Sequence, residues 1–338
     1  MSNFNTLRCL AFGLVLFASV QPSFAEEKKV CEFKYFDIPV GRIAFTLIKG
    51  NSRDIYVADF KELAVFPVIT NNVADEAPAF SPDGKKIAFH SDLNGDRDIY
   101  IANADGTDTQ QITTTTGEDE FPSWNPEGNK LVFQGSRNGK DTHIYIVGTD
   151  GTNLQALTSG EKKQYSPRWS RRGDEILFAT NTEWPGWDIV IYNFQTKAER
   201  VISKGFGSYT RPFFHPDGSG FLFSYGAGED IDIWQAFKGN ATPIAIVAKE
   251  GRQLDGIFDD TARFIFFVSE EAPGDGKFQL FVYDSLKPVT NKLGETIDRI
   301  SQVMLCDGAV RHPSWTPFPS IESLMKEEKR KKKVGNGK

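Results

Sequence analysis

The sequence lacks the short motifs that mark most hydrolases, metalloproteases and nucleotide-binding proteins. No Ser lies in Gly-x-Ser-x-Gly, and there is no His-Glu-x-x-His, no Walker loop and no dinucleotide-binding fingerprint. Cysteine is scarce, with three in 338 residues and no Cys-x-x-Cys pair, so a dithiol redox centre is excluded. We therefore predict no catalytic residues and no cofactor, and we do not expect an enzyme.

Long apolar runs are also missing after the first 25 residues, so no later stretch could span a membrane. Residues 1–25 are typical of a cleaved secretory signal, because Arg8 precedes an apolar core and Ser23-Phe-Ala25 fits the cleavage rule. Neither Cys9 nor Cys31 lies at the cleavage point, so lipidation is not expected. The mature chain should therefore enter an oxidising compartment outside the cytoplasm.

What the sequence does contain is one short pattern in six copies. Four copies read Pro-x-aromatic, then a turn such as Pro-Asp-Gly, then an apolar stretch that ends in Phe; a fifth is degraded and a sixth is cut short. A fixed period of this length is typical of a repeat architecture. The aromatic anchors are 44, 45, 45 and 44 residues apart, and the last follows after 57; they are Phe80, Trp124, Trp169, Phe214, Phe258 and Trp315.

Each copy carries four short strand signals, which is the content of one propeller blade. The segment after Arg42 supplies a second, third and fourth strand without a first, and Trp315 lies in a first strand without the rest. Joined, these two ends make one blade and remove the open sheet edge of a linear array. We predict an all-β, six-bladed β-propeller of four-stranded blades over residues 42–318, with a signal at 1–25, an N-terminal segment at 26–41 and a disordered basic tail at 319–338.

The repeat resembles that of the TolB-like, WD40-like propellers of bacterial periplasms, over nearly the whole mature chain. Residues 26–41 are too few for the additional N-terminal α/β domain of TolB proper, so the resemblance covers the propeller alone. It implies a periplasmic location and a role as a protein-binding scaffold in the cell envelope. We expect a monomer.

Two cysteines, Cys31 and Cys306, remain after the signal, and an even count in an oxidising compartment suggests a disulfide. Ring closure would bring the two chain ends together, which makes this pairing sensible. Two buried free thiols are the alternative.

The formal charge is −6 overall, although the tail from Lys326 to Lys338 holds seven Lys or Arg and only two Glu. The propeller itself is therefore strongly acidic, which argues against nucleic acid as a partner.

Metal sites have little support in the sequence. The four histidines, His90, His143, His215 and His312, occupy four different repeat positions, so they should not form a ring at one depth. The weak calcium candidates are Asp92, Asn94, Asp96 and Asp98, which alternate as in a calcium loop but lack its Gly and distal Glu. Asp98 recurs in other blades, which favours a structural role.

The loops of a propeller divide between two faces. The lead-in face carries the loops that enter each first strand and the loops between second and third strands; the turn face carries the Pro-Asp-Gly turns and the Asp-Gly hairpins. The turn face repeats almost unchanged, so we expect only turns there, whereas the lead-in face varies. The predicted partner-binding residues are Asp75, Glu76, Asp119, Glu120, Trp184, Trp187, Tyr209, Arg211, Arg311 and His312.

Three functions stay open at this stage. A protein-binding scaffold is the first. A glycan or small-ligand binder with Trp184 and Trp187 as stacking platforms is the second. A lyase or hydrolase working in the channel mouth is the third. Both Trp rings could instead fold back on their blade.

Overall fold

The computed structural model describes residues 30–35, 37–137, 141–181, 186–206, 211–239, 242–287 and 299–317. These residues form strands and turns and contain no helix, and hence no helix that could cross a membrane. The predicted signal and basic tail lie outside them. In chain order the strands are β1 (Cys31–Phe33), β2 (Arg42–Lys49), β3 (Ser52–Asp59), β4 (Ala64–Ile69), β5 (Asp75–Phe80), β6 (Lys86–Ser91), β7 (Asp98–Asn103), β8 (Gln110–Gln111), β9 (Asp119–Trp124), β10 (Lys130–Arg137), β11 (Asp141–Gly148), β12 (Gln155–Ala156), β13 (Gln164–Trp169), β14 (Glu175–Asn181), β15 (Trp187–Asn193), β16 (Ala198–Phe206), β17 (Phe213–Phe214), β18 (Gly220–Ala227), β19 (Asp230–Phe237), β20 (Ile244–Val247), β21 (Gln253–Phe258), β22 (Phe264–Glu270), β23 (Phe278–Asp284), β24 (Ile300–Cys306) and β25 (Ala309–Thr316).

These strands form six antiparallel sheets, which are the six blades of a β-propeller. From the channel outwards the blades are β25-β2-β3-β4, β5-β6-β7-β8, β9-β10-β11-β12, β13-β14-β15-β16, β17-β18-β19-β20 and β21-β22-β23-β24-β1. The prediction of six blades with four repeat strands each, and of one blade shared by the two chain ends, is confirmed.

The core lies between neighbouring blades. The Phe that ends the apolar stretch of each copy lies in the second strand and is fully buried, because one sheet cannot cover its own faces and packs on the next. Between the second and third blades, for example, Ala88 of β6 packs in one cluster with Trp124 and Phe133. The six equivalent residues are Phe45, Phe89, Phe133, Phe178, Phe223 and Phe266, each at most 1 % exposed.

The shared blade is fixed to both of its neighbours. Trp315 of β25 pairs with Ile43 of β2, and its indole stacks on Phe266 of the preceding blade with ring centroids 5.1 Å apart. On the other side, the buried Arg42 donates to the carbonyl of Gly84 at 2.6 Å and lies over the ring of Phe80. The closing blade is therefore anchored by side chains of both chain ends.

The last blade has a fifth strand that the sequence did not indicate. The short β1 pairs with β24 and places Cys31 opposite Cys306, and the two cysteines form a disulfide. The predicted bridge is confirmed. β1 also covers the outer edge of this sheet, which would otherwise leave unpaired backbone groups.

Candidate functional site

The inner strands share one local distortion at the residue before the proline of the pattern. In five of them the register with the second strand slips at this point, which is a β-bulge, and the residue adopts a φ between 51° and 58°. Such left-handed backbone is costly for residues other than glycine and persists where surrounding packing enforces it. The six residues at this position, called pre-proline residues although Gly256 replaces the proline after Asp255, are Ala77, Phe121, Ser166, Arg211, Asp255 and His312.

Four of these pre-proline residues meet inside the channel and close it; we call Phe121, Arg211, Asp255 and His312 the plug. The Phe121 ring comes from the third blade, yet it contacts the His312 ring of the shared blade at 5.5 Å between centroids. The guanidinium of Arg211, from the fifth blade, lies over the Phe121 ring, 5.0 Å from the ring centroid. The space left here is a cavity of only about 10 Å³, so the channel is blocked at this depth.

Asp255 holds the cationic side of the plug together. Its carboxylate accepts from Arg211 Nη1 at 2.5 Å, from Arg311 Nε at 3.5 Å and from the backbone N–H of His312 at 3.1 Å. Burial acts to raise the pKa of Asp255, but the guanidinium groups of Arg211 and Arg311 outweigh it and hold the pKa well below its usual range. Two arginines therefore share one ionised carboxylate.

The two histidines next to Phe121 are neutral. His90 of β6 accepts from the Phe121 N–H at 3.4 Å, and burial, followed by the charges of Arg97 and Arg211, lowers its pKa to about 3. Burial and Arg211 also lower the pKa of His312 well below its ordinary value. Uncharged imidazoles allow the positive charge of the arginines to be tolerated nearby.

The acidic residues predicted at the mouth are engaged within the protein. Asp75 is buried, which raises its pKa to about 6 despite hydrogen bonds from neighbours that include Asn71. Asp119 is also buried and accepts from Arg137, and its pKa is raised, mainly by burial. These two carboxylates stabilise the lead-in loops and are not available at the surface.

The two glutamates that follow them join adjacent blades. Arg53 of the shared blade donates to Glu76 at 3.1 Å, and Arg97 of the next blade donates to Glu120 at 2.5 Å. In both cases the arginine one residue before the recurrent aspartate of the third strand thus pairs with the lead-in residue of the next blade. The structure therefore brings Arg211, Arg311 and His312 together at the mouth. Three of the four acidic residues predicted there pair with arginines, namely Glu76, Asp119 and Glu120.

The aromatic candidates divide into described and undescribed residues. Trp187 is half-buried and packs edge-on against Tyr165, with ring centroids 5.1 Å apart. Its ring has thus folded against the blade, one of the two alternatives considered. Trp184 and Tyr209 lie outside the described residues.

Three of the four calcium candidates have protein partners. Asp92 accepts from Arg97, Asn94 donates to Gln111, and Asp98 accepts from Thr113. Asp98 thus has the structural role that its recurrence predicts. Across the part of the chain that the structure describes, no three His, Cys, Asp or Glu side chains converge as metal ligands would.

Phe121 is the plug residue that sequence reasoning missed. It stands in the same repeat column as Arg211, Asp255 and His312, and a column-by-column comparison of the six copies would have selected it. The comparison could not have shown that its ring crosses the channel.

Comparison with known proteins agrees with this architecture. The family model described as the TolB beta propeller domain matches residues 38–230. TolB from Acinetobacter baumannii superposes with a TM-score of 0.66 at 18% identity, over 81% of this chain and 66% of that one. Putative TolB from Agrobacterium tumefaciens gives 0.61 at 17% identity, over 83% and 99%. The hydrazine synthase of Kuenenia stuttgartiensis gives 0.63 at 15% identity, over 84% and 48%. No curated protein sequence gives a significant match.

Proposed function

The chain belongs to the TolB beta propeller family, and from that premise we propose that it is a protein-binding scaffold in the periplasm, with the lead-in face as its binding surface. The family resemblance supports the compartment, as does the Cys31–Cys306 disulfide, since disulfides persist where the environment is oxidising. The signal-like residues 1–25 support export.

One observation carries the choice of surface. The plug closes the channel with half-buried Phe121, Arg211 and His312, and half-buried Tyr165 and Trp187 pack together on the same face. Aromatic rings and arginines that are held rigid by their neighbours are the usual anchors of protein interfaces. A partner segment that lies across this mouth would meet a closed floor with a net positive centre, so an acidic or aromatic segment would suit it.

The two other candidate functions have less support. Glycan stacking would use the face of an indole, whereas Trp187 packs edge-on against Tyr165 and is half-buried. An enzyme in the mouth would need convergent titratable groups, but His90 and His312 have lowered pKa values and Asp255 is bonded to arginines. Both histidines are therefore poor proton donors at neutral pH.

The proposal is tested by affinity capture from crosslinked cell envelopes, followed by mass spectrometry. Trp187→Ala and Tyr165→Ala each remove a half-buried aromatic ring from the lead-in face, where the two rings pack against each other. Each should reduce recovery of the partner several-fold, because loss of one anchor typically costs about 2 kcal/mol.

The matched control is Asp105→Lys, in the hairpin on the turn face, which should leave recovery unchanged. Arg211→Ala is a poorer test than its position suggests, because it also removes a partner of Asp255. If Asp105→Lys abolished recovery and the lead-in variants did not, the assignment of the face would be wrong.

A further inference from the structure

Among the residues that the structure describes, none covers the other end of the channel, on the turn face. Below the plug the channel widens into a cavity of about 490 Å³, within the range of small-molecule sites. All six aromatic anchors line it, and prolines of the turns form part of its rim. The sequence predicts only repeated turns on this face; the cavity arises because six turns surround one axis.

The aromatic wall is held in place by stacking and hydrogen bonds to neighbouring residues. Trp315 stacks on Phe266, and its Nε1 donates to Asp260 at 3.2 Å. Trp169 stacks on Phe194 with ring centroids 5.5 Å apart, and Trp124 Nε1 donates to the Ala79 carbonyl at 2.8 Å. A wall of this kind needs little reordering to accept a flat or apolar body.

Two cations line this cavity, Arg168 and Arg171. Arg171 Nη1 donates to the backbone carbonyl of Asp260 at 3.5 Å, whereas Arg168 lacks an acceptor within the described chain. Arg168 stands one residue after the proline, where the equivalent residues are Ala79, Ser123, Phe213, Ile257 and Ser314, so it is the only charged member of that ring. Its guanidinium lies 5.7 Å from the centroid of the Phe213 ring. Among the residues that the structure describes, no carboxylate or carbonyl lies within hydrogen-bond or ion-pair distance of it.

The other polar groups at this depth are also donors. Ser123 Oγ accepts from the backbone N–H of Trp169 at 3.2 Å, and Ser314 Oγ accepts from the backbone N–H of Phe80 at 3.1 Å. Neither hydroxyl donates to a protein acceptor within the described chain. Each therefore retains its hydrogen for a ligand, and a guanidinium and two hydroxyls form a set of donors without an acceptor.

The carboxylates near the cavity do not supply the missing acceptor. Asp259 accepts from the Phe264 N–H and from Thr261, Asp260 accepts from Trp315 at the rim, and Asp255 is bonded to Arg211 within the plug. Burial, and after it the charge of Arg211, lowers the pKa of Arg168 to about 10, so the side chain stays charged at neutral pH.

We propose that this cavity is a second binding site, for an organic monocarboxylate with a flat or apolar body. The carboxylate pairs with Arg168, the Ser123 hydroxyl of the adjacent blade is its second donor, and the apolar body lies between the aromatic anchors. The Arg168 guanidinium, which has no acceptor within the described chain, matches one carboxylate. The site opens on the turn face, although Arg168 and Phe213 also border the small cavity of the plug; the proposal does not depend on the proposed function.

The bound carboxylate could belong to a small free acid or to the C-terminus of a polypeptide chain. Two pairs of probes distinguish these two sources. The first pair is 3-phenylpropionate and 3-phenylpropionamide. The second pair is N-acetyl-alanyl-phenylalanine with a free or an amidated C-terminus. Calorimetry with the full chain should show that the carboxylate of at least one pair binds about tenfold or more tightly than its amide.

Arg168→Gln should remove that preference, and Arg168→Lys should restore part of it. The matched control is Arg200→Gln, which removes an exposed arginine on β16 and should change nothing. Binding by the free acid alone would identify a small metabolite, and binding by the peptide acid alone would identify a chain terminus; both support the site.

A measurement on the unaltered protein covers the case in which Arg168→Gln does not fold. Phenylglyoxal modifies accessible guanidinium groups, and peptide mapping locates the product. Saturating carboxylate should protect Arg168 several-fold, and the amide should not. Equal binding of acid and amide, no binding of any probe at about 10 mM, or modification of Arg168 unaffected by the acid would each overturn the proposal.

Discussion

Asp255→Asn is the change that should reveal how the plug is stabilised. The carboxylate accepts from Arg211, Arg311 and the His312 N–H, and it is 5% exposed. The amide keeps the shape but removes the charge, which leaves two guanidinium groups close together in a channel with little solvent. Loss of one partner of a buried ion pair typically costs about 3–5 kcal/mol, so we expect a reduction of that size in the free energy of unfolding.

Urea denaturation followed by tryptophan fluorescence and by circular dichroism measures this change. Glu199→Gln, the same loss of one negative charge at an exposed position of β16, is the control and should shift the midpoint very little. Adding Arg211→Gln to Asp255→Asn should recover part of the loss, because one uncompensated cation is then removed. Should Asp255→Asn unfold at the wild-type urea concentration, the plug would not be an electrostatic unit.

Three further outcomes follow from the structure. Replacing Cys31 and Cys306 by Ala should lower the free energy of unfolding by about 3–5 kcal/mol, because the bridge closes a very long loop; denaturation equal to that of the oxidised wild type would contradict this. The neutral, buried His90 has a pKa of about 3 in the folded protein, below its value in the unfolded chain. Its full contribution to the free energy of unfolding is therefore present above about pH 6.5, and at pH 5 that contribution has fallen by about 2 kcal/mol. His90→Gln should flatten the stability profile between pH 7 and 5, and an unchanged slope would count against the assignment. Deleting residues from Pro313 onward should abolish cooperative thermal unfolding, whereas deletion from Lys326 should not; a cooperative melt of the longer deletion would exclude the shared blade.

The equivalent positions of the six repeats predicted most of the fold, because each position has the same structural role in every blade. The Phe of the second strand is buried in every blade. The Asp-Gly and Pro-Asp-Gly signals lie at turns, because Pro fixes the φ that a turn needs and Gly tolerates a positive φ. β1 was not predicted, because three residues around Cys31 carry no pattern. Its place depends on the disulfide and on the free edge of β24.

The site was predicted in part, and the failures have a common cause. The sequence identifies which residues share a ring around the channel, as with Arg211, Asp255 and His312. It does not show how far a side chain reaches, so Phe121 crossing the axis was missed. Nor does it show which charges pair: Glu76 and Glu120 were predicted to bind a partner, although Arg53 and Arg97 pair with them within the protein.

The direct test of the central claim, that the lead-in face binds a protein, is site-specific photocrosslinking in the cells that produce this chain. A photoreactive amino acid is placed at Glu118, Tyr165 or Trp187 on the lead-in face, and at Asp105 or Asp150 in the hairpins of the turn face. The account predicts a discrete covalent adduct with an envelope protein from the lead-in positions and none from the hairpins. Adducts from Asp105 or Asp150 alone, or none from any lead-in position, would contradict it.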